Sequence, residues 1–274
     1  ELEERIAYFN RILSDEGLLK SILKDELTAI AEKYGDERKT EIQDVEDEID
    51  IEDLIEEEQC VFTLTRNGYL KRTPVSEYSA QSKGGMGKKG ITTREEDTVT
   101  DVFTASTHDN LLFFTDTGKV YRKKGYQVPE SGKTARGSNI VNLIQVEPGE
   151  RVQTMLHYRP GTEETLFLTM VTRNGTVKRL PVETLKNLKN IGIRALTLEE
   201  GDALIAVKET DGSQNILIAT HDGQAICFAE DEVRPTGRTS MGVRGIRLKD
   251  GDYVVGAGRA REGFEVLSIT ERGY

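Results

Sequence analysis

No stretch of this chain approaches 18 consecutive apolar residues, so no membrane-spanning helix is expected in it. Its first residues, Glu1-Leu2-Glu3-Glu4-Arg5, make neither a basic nor an apolar leader, and no secretion signal is expected there. Cysteine is limited to Cys60 and Cys227, both in apolar strand-like runs. Two such residues make neither a zinc spacing nor a disulfide framework, and they suit a reducing cytoplasm. Histidine is as scarce: His108, His157 and His221 are scattered, and two of them simply precede an Asp in turn-like surroundings. With no nucleophile beside a base and no cluster of metal ligands, an independent active site is not expected. Aromatic residues make up only 6% of the chain, too few to interleave with cations as a stacking platform for single strands. The chain does not begin with Met and reads as a segment of a longer protein.

A positive balance is missing as well, since the formal charge is −11, but the acidity is unevenly placed. Residues 1–58 hold 21 Asp and Glu against 7 Lys and Arg, which leaves a formal +3 for residues 59–274. The charge argument against a polyanionic partner therefore applies only to the first part of the chain.

Leu2, Ile6, Phe9 and Leu13 share one helical stripe, and Leu19, Leu23, Leu27, Ile30 and Tyr34 share another, with Ser14 and Asp15 as cap residues between them. Residues 1–43 are read as a helical arm, either half of a coiled coil or a plain packing face. Asp44–Glu58 is dominated by Asp and Glu and is expected to be a solvated linker.

From Gln59 the apolar period changes from helical to alternating, and an octapeptide begins to recur. Thr65-Arg66-Asn67-Gly68-Tyr69-Leu70-Lys71-Arg72 returns as Thr115-Asp116-Thr117-Gly118-Lys119-Val120-Tyr121-Arg122. It returns again as Thr172-Arg173-Asn174-Gly175-Thr176-Val177-Lys178-Arg179 and as Thr220-His221-Asp222-Gly223-Gln224-Ala225-Ile226-Cys227. A fifth copy starts at Thr270. Apolar runs precede each copy at 61–64, 111–114, 166–170, 216–219 and 266–269, and later strand-like runs fall at 98–103, 151–156, 203–207 and 253–255. Asn-Gly and Asp-Gly between strands predict type I′ hairpins. Units of about fifty residues with roughly four strands each cannot bury both faces alone, so they are expected to stack radially as blades. The expected blades span about 59–107, 108–160, 161–212 and 213–262, with a fifth begun at 263–274. A linear β-array or a sandwich is the alternative.

Two nucleotide-binding matches are discarded. Gly85-Met86-Gly87-Lys88-Lys89-Gly90 fits G-x-G-x-x-G but leads into β-prone sequence instead of a helix. Gly132-Lys133-Thr134 ends like a P-loop, yet Gln127 stands where the first glycine must be. What remains is cations at equivalent places: Lys71 and Arg72; Arg122, Lys123 and Lys124; Lys178 and Arg179. Loops downstream add Lys83, Lys88, Lys89, Lys133, Arg136, Lys186, Lys189, Arg194, Arg238, Arg244 and Arg247. A basic pair in each blade would lay charge around a rim able to follow a phosphate backbone. Solvated charges that protect strand edges from aggregation are the plainer reading.

Gln81-Ser82-Lys83-Gly84-Gly85-Met86-Gly87 resembles the heptapeptide of the A subunits of bacterial DNA gyrases, Gln-basic-Arg-Gly-Gly-basic-Gly. Tyr69-Leu70-Lys71-Arg72, Thr107-His108-Asp109, Ile140-Val141-Asn142-Leu143 and Gly242-Val243-Arg244-Gly245-Ile246-Arg247-Leu248 are similar to segments of the same family. Tyr34-Gly35-Asp36-Glu37-Arg38-Lys39-Thr40-Glu41-Ile42 is similar to the stretch that joins that family's cleavage core to its C-terminal domain. Ser82, Lys83 and Met86 depart from the pattern, and Lys88 and Lys89 follow them.

The resemblance implies a mainly β fold, a bladed β-propeller or β-pinwheel preceded by the helical arm, that binds, bends and chirally wraps double-stranded DNA. It implies residues 81–87 and the basic rim as the contacts, with no metal or catalytic residue among them. It further implies a cytoplasmic, nucleoid-associated A2B2 gyrase holoenzyme of paired A-type and B-type polypeptides. That holoenzyme is a type IIA topoisomerase that supercoils DNA negatively. Its ATP, Mg²⁺ and cleaving tyrosine are expected outside these residues. The alternatives are the corresponding domain of topoisomerase IV, which decatenates, and a propeller that binds protein partners only.

Overall fold

A computed structural model describes residues 1–36, 51–78, 90–91, 97–186, 188, 192–270 and 272–273. The chain divides into two compact units, residues 1–49 and 50–274. In the first, α1 (Leu2–Ser14) and α2 (Glu16–Tyr34) follow the two predicted stripes. They part at Asp15, whose carboxylate accepts from the amides of Gly17 and Leu18 at 2.9 and 3.1 Å and so caps α2. Both stripes are exposed, from Leu2 to Tyr34.

Among its described residues, the second unit is all β apart from short 3₁₀ turns. Its strands are β1 (Gln59–Thr65), β2 (Tyr69–Pro74), β3 (Val99–Ser106), β4 (Asn110–Thr115), β5 (Lys119–Lys124), β6 (Ser138–Asn139), β7 (Val152–Tyr158) and β8 (Phe167–Thr172). They continue with β9 (Thr176–Pro181), β10 (Ile193–Arg194), β11 (Leu204–Thr210), β12 (Asn215–Thr220), β13 (Ala225–Ala229), β14 (Val243–Arg244) and β15 (Val254–Ala260). Four antiparallel sheets result, in the orders β3-β1-β2-β6, β7-β4-β5-β10, β11-β8-β9-β14 and β15-β12-β13.

These are the four blades, with one departure from the expected plan of four strands per unit. Each repeat supplies three long strands to its own blade, and the second, third and fourth each lend a two-residue strand to the blade before. Thus β6, from the second repeat, pairs with β2 of the first, as Tyr69 with Asn139 and Leu70 with Ser138. In the same way β10 pairs with β5, and β14 with β9. A glycine in front of the lent strand makes the approach possible. Gly137 and Gly242 hold φ of +90° and +99°, and a Cβ there would lie 2.3 Å from Leu70 O or 2.5 Å from Val177 O. Among the described residues the fourth blade has three strands. The run at 266–269 is not a strand; Phe264, Val266, Leu267 and Ile269 are exposed, with no neighbouring strand hydrogen-bonded to them.

The hairpin turns also differ from expectation. Gly68, Gly118, Gly175 and Gly223 have positive φ, but no non-glycine among the described residues does, so these are not type I′ turns. The glycine amide bonds back to the carbonyl of the threonine three residues earlier, at 2.9–3.1 Å, the geometry of a type I turn closed by a left-handed glycine. The amide of the residue before the glycine is taken by an aspartate about thirty residues on: Asn67 by Asp97, Asn174 by Asp202 and Asp222 by Asp252. At the Thr115–Gly118 turn, which has the same geometry, the Thr117 hydroxyl donates to Glu150 at 2.9 Å.

The core lies between blades, sorted by the two-residue alternation of strands. In β4, Leu111 and Phe113 pack toward Phe62, Leu64 and Leu70 of the first blade. Leu112 and Phe114, alternating with them, pack toward Leu168, Met170 and Leu180 of the third. All six residues of β4 are buried, which is why its sequence is a continuous apolar run and not an alternating one. Full burial of each such phenylalanine contributes about 1.5–3 kcal/mol. A third cluster, including Val171, Val177, Ile216 and Ile218, joins blades three and four.

Residues 51–58, expected to be solvated linker, are instead bound where the end of the first blade meets the second. Glu52 pairs with Lys124 at 2.7 Å, and Ile55 O lies 2.8 Å from His108 Nε2. The Thr107 hydroxyl donates to Glu56 O, and the Ser106 hydroxyl to the Glu57 carboxylate.

Candidate nucleic-acid interface

The repeated strand cations do not form a rim. Lys71, Lys178 and Arg179 are 0%, 1% and 7% exposed, because neighbouring elements cover both faces of their strands. Lys71 and Lys178 spend their ammonium hydrogens on backbone carbonyls: Gly90, Gly132 and Lys133 for the first, Ala195, Arg238 and Ser240 for the second. Burial lowers the pKa of both, that of Lys178 to about 8. These three residues are therefore removed from the expected set of phosphate ligands.

The arginines that follow fasten one repeat to the next. Arg72 donates through Nε to Val128 O at 3.1 Å and pairs with Glu130 at 3.3 Å, its side chain 14% exposed. Arg122 donates to Lys186 O and Leu188 O at 2.6 and 3.0 Å. Arg179 donates to Glu230 O at 2.9 Å and lies 4.1 Å over the Phe167 ring. Lys124 is half-buried and shared between Glu52 and His108 O, and Lys123 is half-buried.

The loop cations behave differently. Lys186, Arg194, Arg238 and Arg244 are exposed, as is Arg247. Lys133 and Arg136 are half-buried, resting 4.7 and 5.3 Å over the rings of Tyr78 and Tyr69. These cations belong to the segments that lead into, form or follow the lent strands. Arg194 is in β10 and Arg244 in β14, the outermost strands of blades two and three. Gln81, Ser82, Lys83, Gly84, Gly85, Met86, Gly87, Lys88, Lys89 and Lys189 lie outside the described residues.

One sequence signal becomes meaningful only beside the lent strands. Gly132-Lys133-Thr134-Ala135-Arg136-Gly137 and Gly237-Arg238-Thr239-Ser240-Met241-Gly242 share a G-basic-T-x-x-G pattern just before such a strand. Taken alone, the first of them suggests no more than an incomplete P-loop. Arg66 and Arg173, in equivalent hairpin turns, are further exposed cations outside the expected set, and Arg173 stacks 4.3 Å over Tyr253.

Repeated three-strand units with lent edges and cationic loops define a class by themselves: a pinwheel-like propeller with charged blade margins. A profile described as "DNA gyrase C-terminal domain, beta-propeller" matches residues 61–106, 109–157, 167–211 and 214–261, one match per blade, and the chain belongs to that family. It is 46% identical over 245 residues to the DNA gyrase A protein of Clostridium acetobutylicum, covering 89% of this chain and 29% of that protein. It is 45% identical over 281 residues to the DNA gyrase A protein of Staphylococcus aureus strain MRSA252, covering all of this chain and 31% of that protein. The chain thus spans about three tenths of the length of these relatives. Among solved structures it is similar to the C-terminal domain of DNA topoisomerase IV, with a TM-score of 0.65 and 28% identity over 76% of this chain and 63% of that one. It is also similar to a DNA gyrase A C-terminal domain, with a TM-score of 0.60 and 26% identity over 75% of this chain and 66% of that one.

Proposed function

We propose that residues 59–274 bind double-stranded DNA without reading its sequence and bend it around the blade margins. The observation that carries this reading is the set of cations on the loops and lent strands of successive blades, Lys133 and Arg136, Arg194, then Arg238 and Arg244. Each phosphate neutralised releases counterions, which makes such binding strong at low salt and sequence-independent. Bending 20–30 base pairs costs about 1–6 kcal/mol, and several such contacts can offset it. Residues 81–89 are proposed as further DNA contacts.

Likeness to gyrase A proteins at 45–46% identity supports a role within an A2B2 gyrase, where a chirally wrapped arm becomes the segment passed with ATP. In that assembly residues 1–43 extend the cleavage core, residues 44–58 connect it to the wheel, and the complex acts on the nucleoid in the cytoplasm. ATP, Mg²⁺ and the cleaving tyrosine belong to other parts of the holoenzyme. No helix among the described residues is long and apolar enough to cross a membrane. The likeness to a topoisomerase IV C-terminal domain supports a second reading, the corresponding domain of topoisomerase IV serving decatenation, which would bind DNA with no linking shift.

Ligation of nicked plasmid with the chain bound separates the two. A positive linking shift that vanishes at high salt supports chiral wrapping. Binding with no shift supports the second reading, and no binding at all returns the fold to a protein-interaction role.

A further inference from the structure

An ammonium group has three hydrogens, and each buried lysine has three carbonyls to receive them. Lys178 Nζ lies 2.7 Å from Ala195 O, 2.8 Å from Arg238 O and 3.0 Å from Ser240 O. Lys71 Nζ lies 2.9 Å from Gly90 O, 2.6 Å from Lys133 O and 3.4 Å from Gly132 O. The sets correspond. Gly90 and Ala195 each lie later in the lysine's own repeat, and Ala195 directly follows β10, the strand lent to the preceding blade. The other two carbonyls come in each case from the G-basic-T-x-x-G loop of the next repeat. Each ammonium therefore ties its strand to a later segment of its own repeat and to the loop arriving from the repeat ahead.

In both cages one bonded carbonyl belongs to the basic residue of the loop itself, Lys133 or Arg238. The lysine consequently fixes the backbone from which the outer cation projects. The repeat between them shows the contrast. There the strand position is Tyr121, whose hydroxyl donates to Gln145 O at 2.8 Å and whose ring fills the space a Cβ on Gly192 would need. The segment of the next repeat that leads to Gly192, from Lys186 onward, lacks the G-basic-T-x-x-G pattern. Lysine in the strand and the patterned loop in the next repeat thus occur together at two interfaces and are absent together at the third.

We propose that Lys71 and Lys178 are positioning residues for DNA binding, each holding the next blade's loop so that Lys133 with Arg136, or Arg238, meets the phosphate backbone. This rests on the DNA-binding reading above. Neither lysine touches DNA; each acts through the loop it cages. The charge suits the task, because a neutral amine has one donor fewer than the three carbonyls require.

The test is a pair of double-mutant cycles in the full chain, reading affinity for a mixed-sequence duplex at low salt. Arg238→Ala should weaken binding roughly three- to tenfold by removing a phosphate contact. Lys178→Met should weaken it by a similar factor, and the double variant should be no weaker than the weaker single one. Lys178→Met with Lys133→Ala, which sit on different interfaces, should instead multiply. Multiplication in the first cycle, or wild-type affinity in Lys178→Met, would overturn the proposal. Should Lys178→Met fail to fold, hydrogen exchange of residues 236–242 in the wild-type chain decides: slow exchange without DNA is expected, and exchange at the unprotected rate overturns the proposal. A wild-type chain that binds no duplex removes the DNA reading and the proposal together. A chain that binds, but shows multiplication, removes the proposal alone.

Discussion

Lys71 donates to the backbone carbonyl of Lys133 at 2.6 Å, yet the charges of these two lysines meet opposite fates. Lys71 is buried and caged by backbone oxygens, whereas Lys133 lies along the Tyr78 ring, partly open to solvent. The same division runs through the wheel: cations on the long strands hold blades together, and those on loops and lent strands are left for a partner. Charge type does not decide which job a lysine takes. What decides it is whether the strand carrying it is covered on both faces.

That division can be broken at several levels. Phe113→Ala, which empties the interface between blades one and two, should cost about 3–5 kcal/mol of stability, measured by denaturant unfolding. Gly242→Ala should cost about 1–3 kcal/mol, because its φ of +99° and the approach of Val177 O admit no Cβ without displacing β14. Lys178→Met should cost about 1–3 kcal/mol by leaving its carbonyls unpaired. Arg238→Ala and Arg244→Ala, by contrast, should change stability by no more than about 0.5 kcal/mol.

A pH series sharpens the same contrast. Burial holds Lys178 at about 8 instead of the ordinary 10.5, so the folded chain gives up this proton before the unfolded chain does. The charge is a cost to folding that is fully present below about pH 8 and is relieved as pH climbs toward 10.5. Wild-type stability relative to Lys178→Met should therefore rise as pH is raised from about 7 to about 10. A gap that stays constant would mean that Lys178 titrates normally.

Much of the wheel is legible in the sequence. The octapeptide repeat locates the long strands of four blades, since a left-handed glycine and its flanking apolar runs leave a periodic trace. The lent strands leave none, for two residues such as Ser138-Asn139 are too few to show alternation. Their mark is the glycine before them, ending a G-basic-T-x-x-G pattern at two of the three, and its purpose emerges once Leu70 O is seen against Gly137. The turn type escapes sequence reasoning because Asn-Gly suits several hairpins, and the partner of the Asn67 amide, Asp97, stands thirty residues away. The fate of Lys71, Lys178 and Arg179 is hidden for a related reason. A strand buried on both faces conceals its long cations, and sequence alternation gives no warning when carbonyls replace water as their partners.

The central claim is that cations on the loops and the two-residue lent strands, and not those on the long strands, face the DNA. The most direct measurement is the slope of log affinity against log salt for duplex binding by the wild type and by Arg238→Ala/Arg244→Ala. Loss of two phosphate contacts should make the slope shallower by about 2, with the fold intact. An unchanged slope and unchanged affinity would contradict the account and place the phosphate contacts elsewhere.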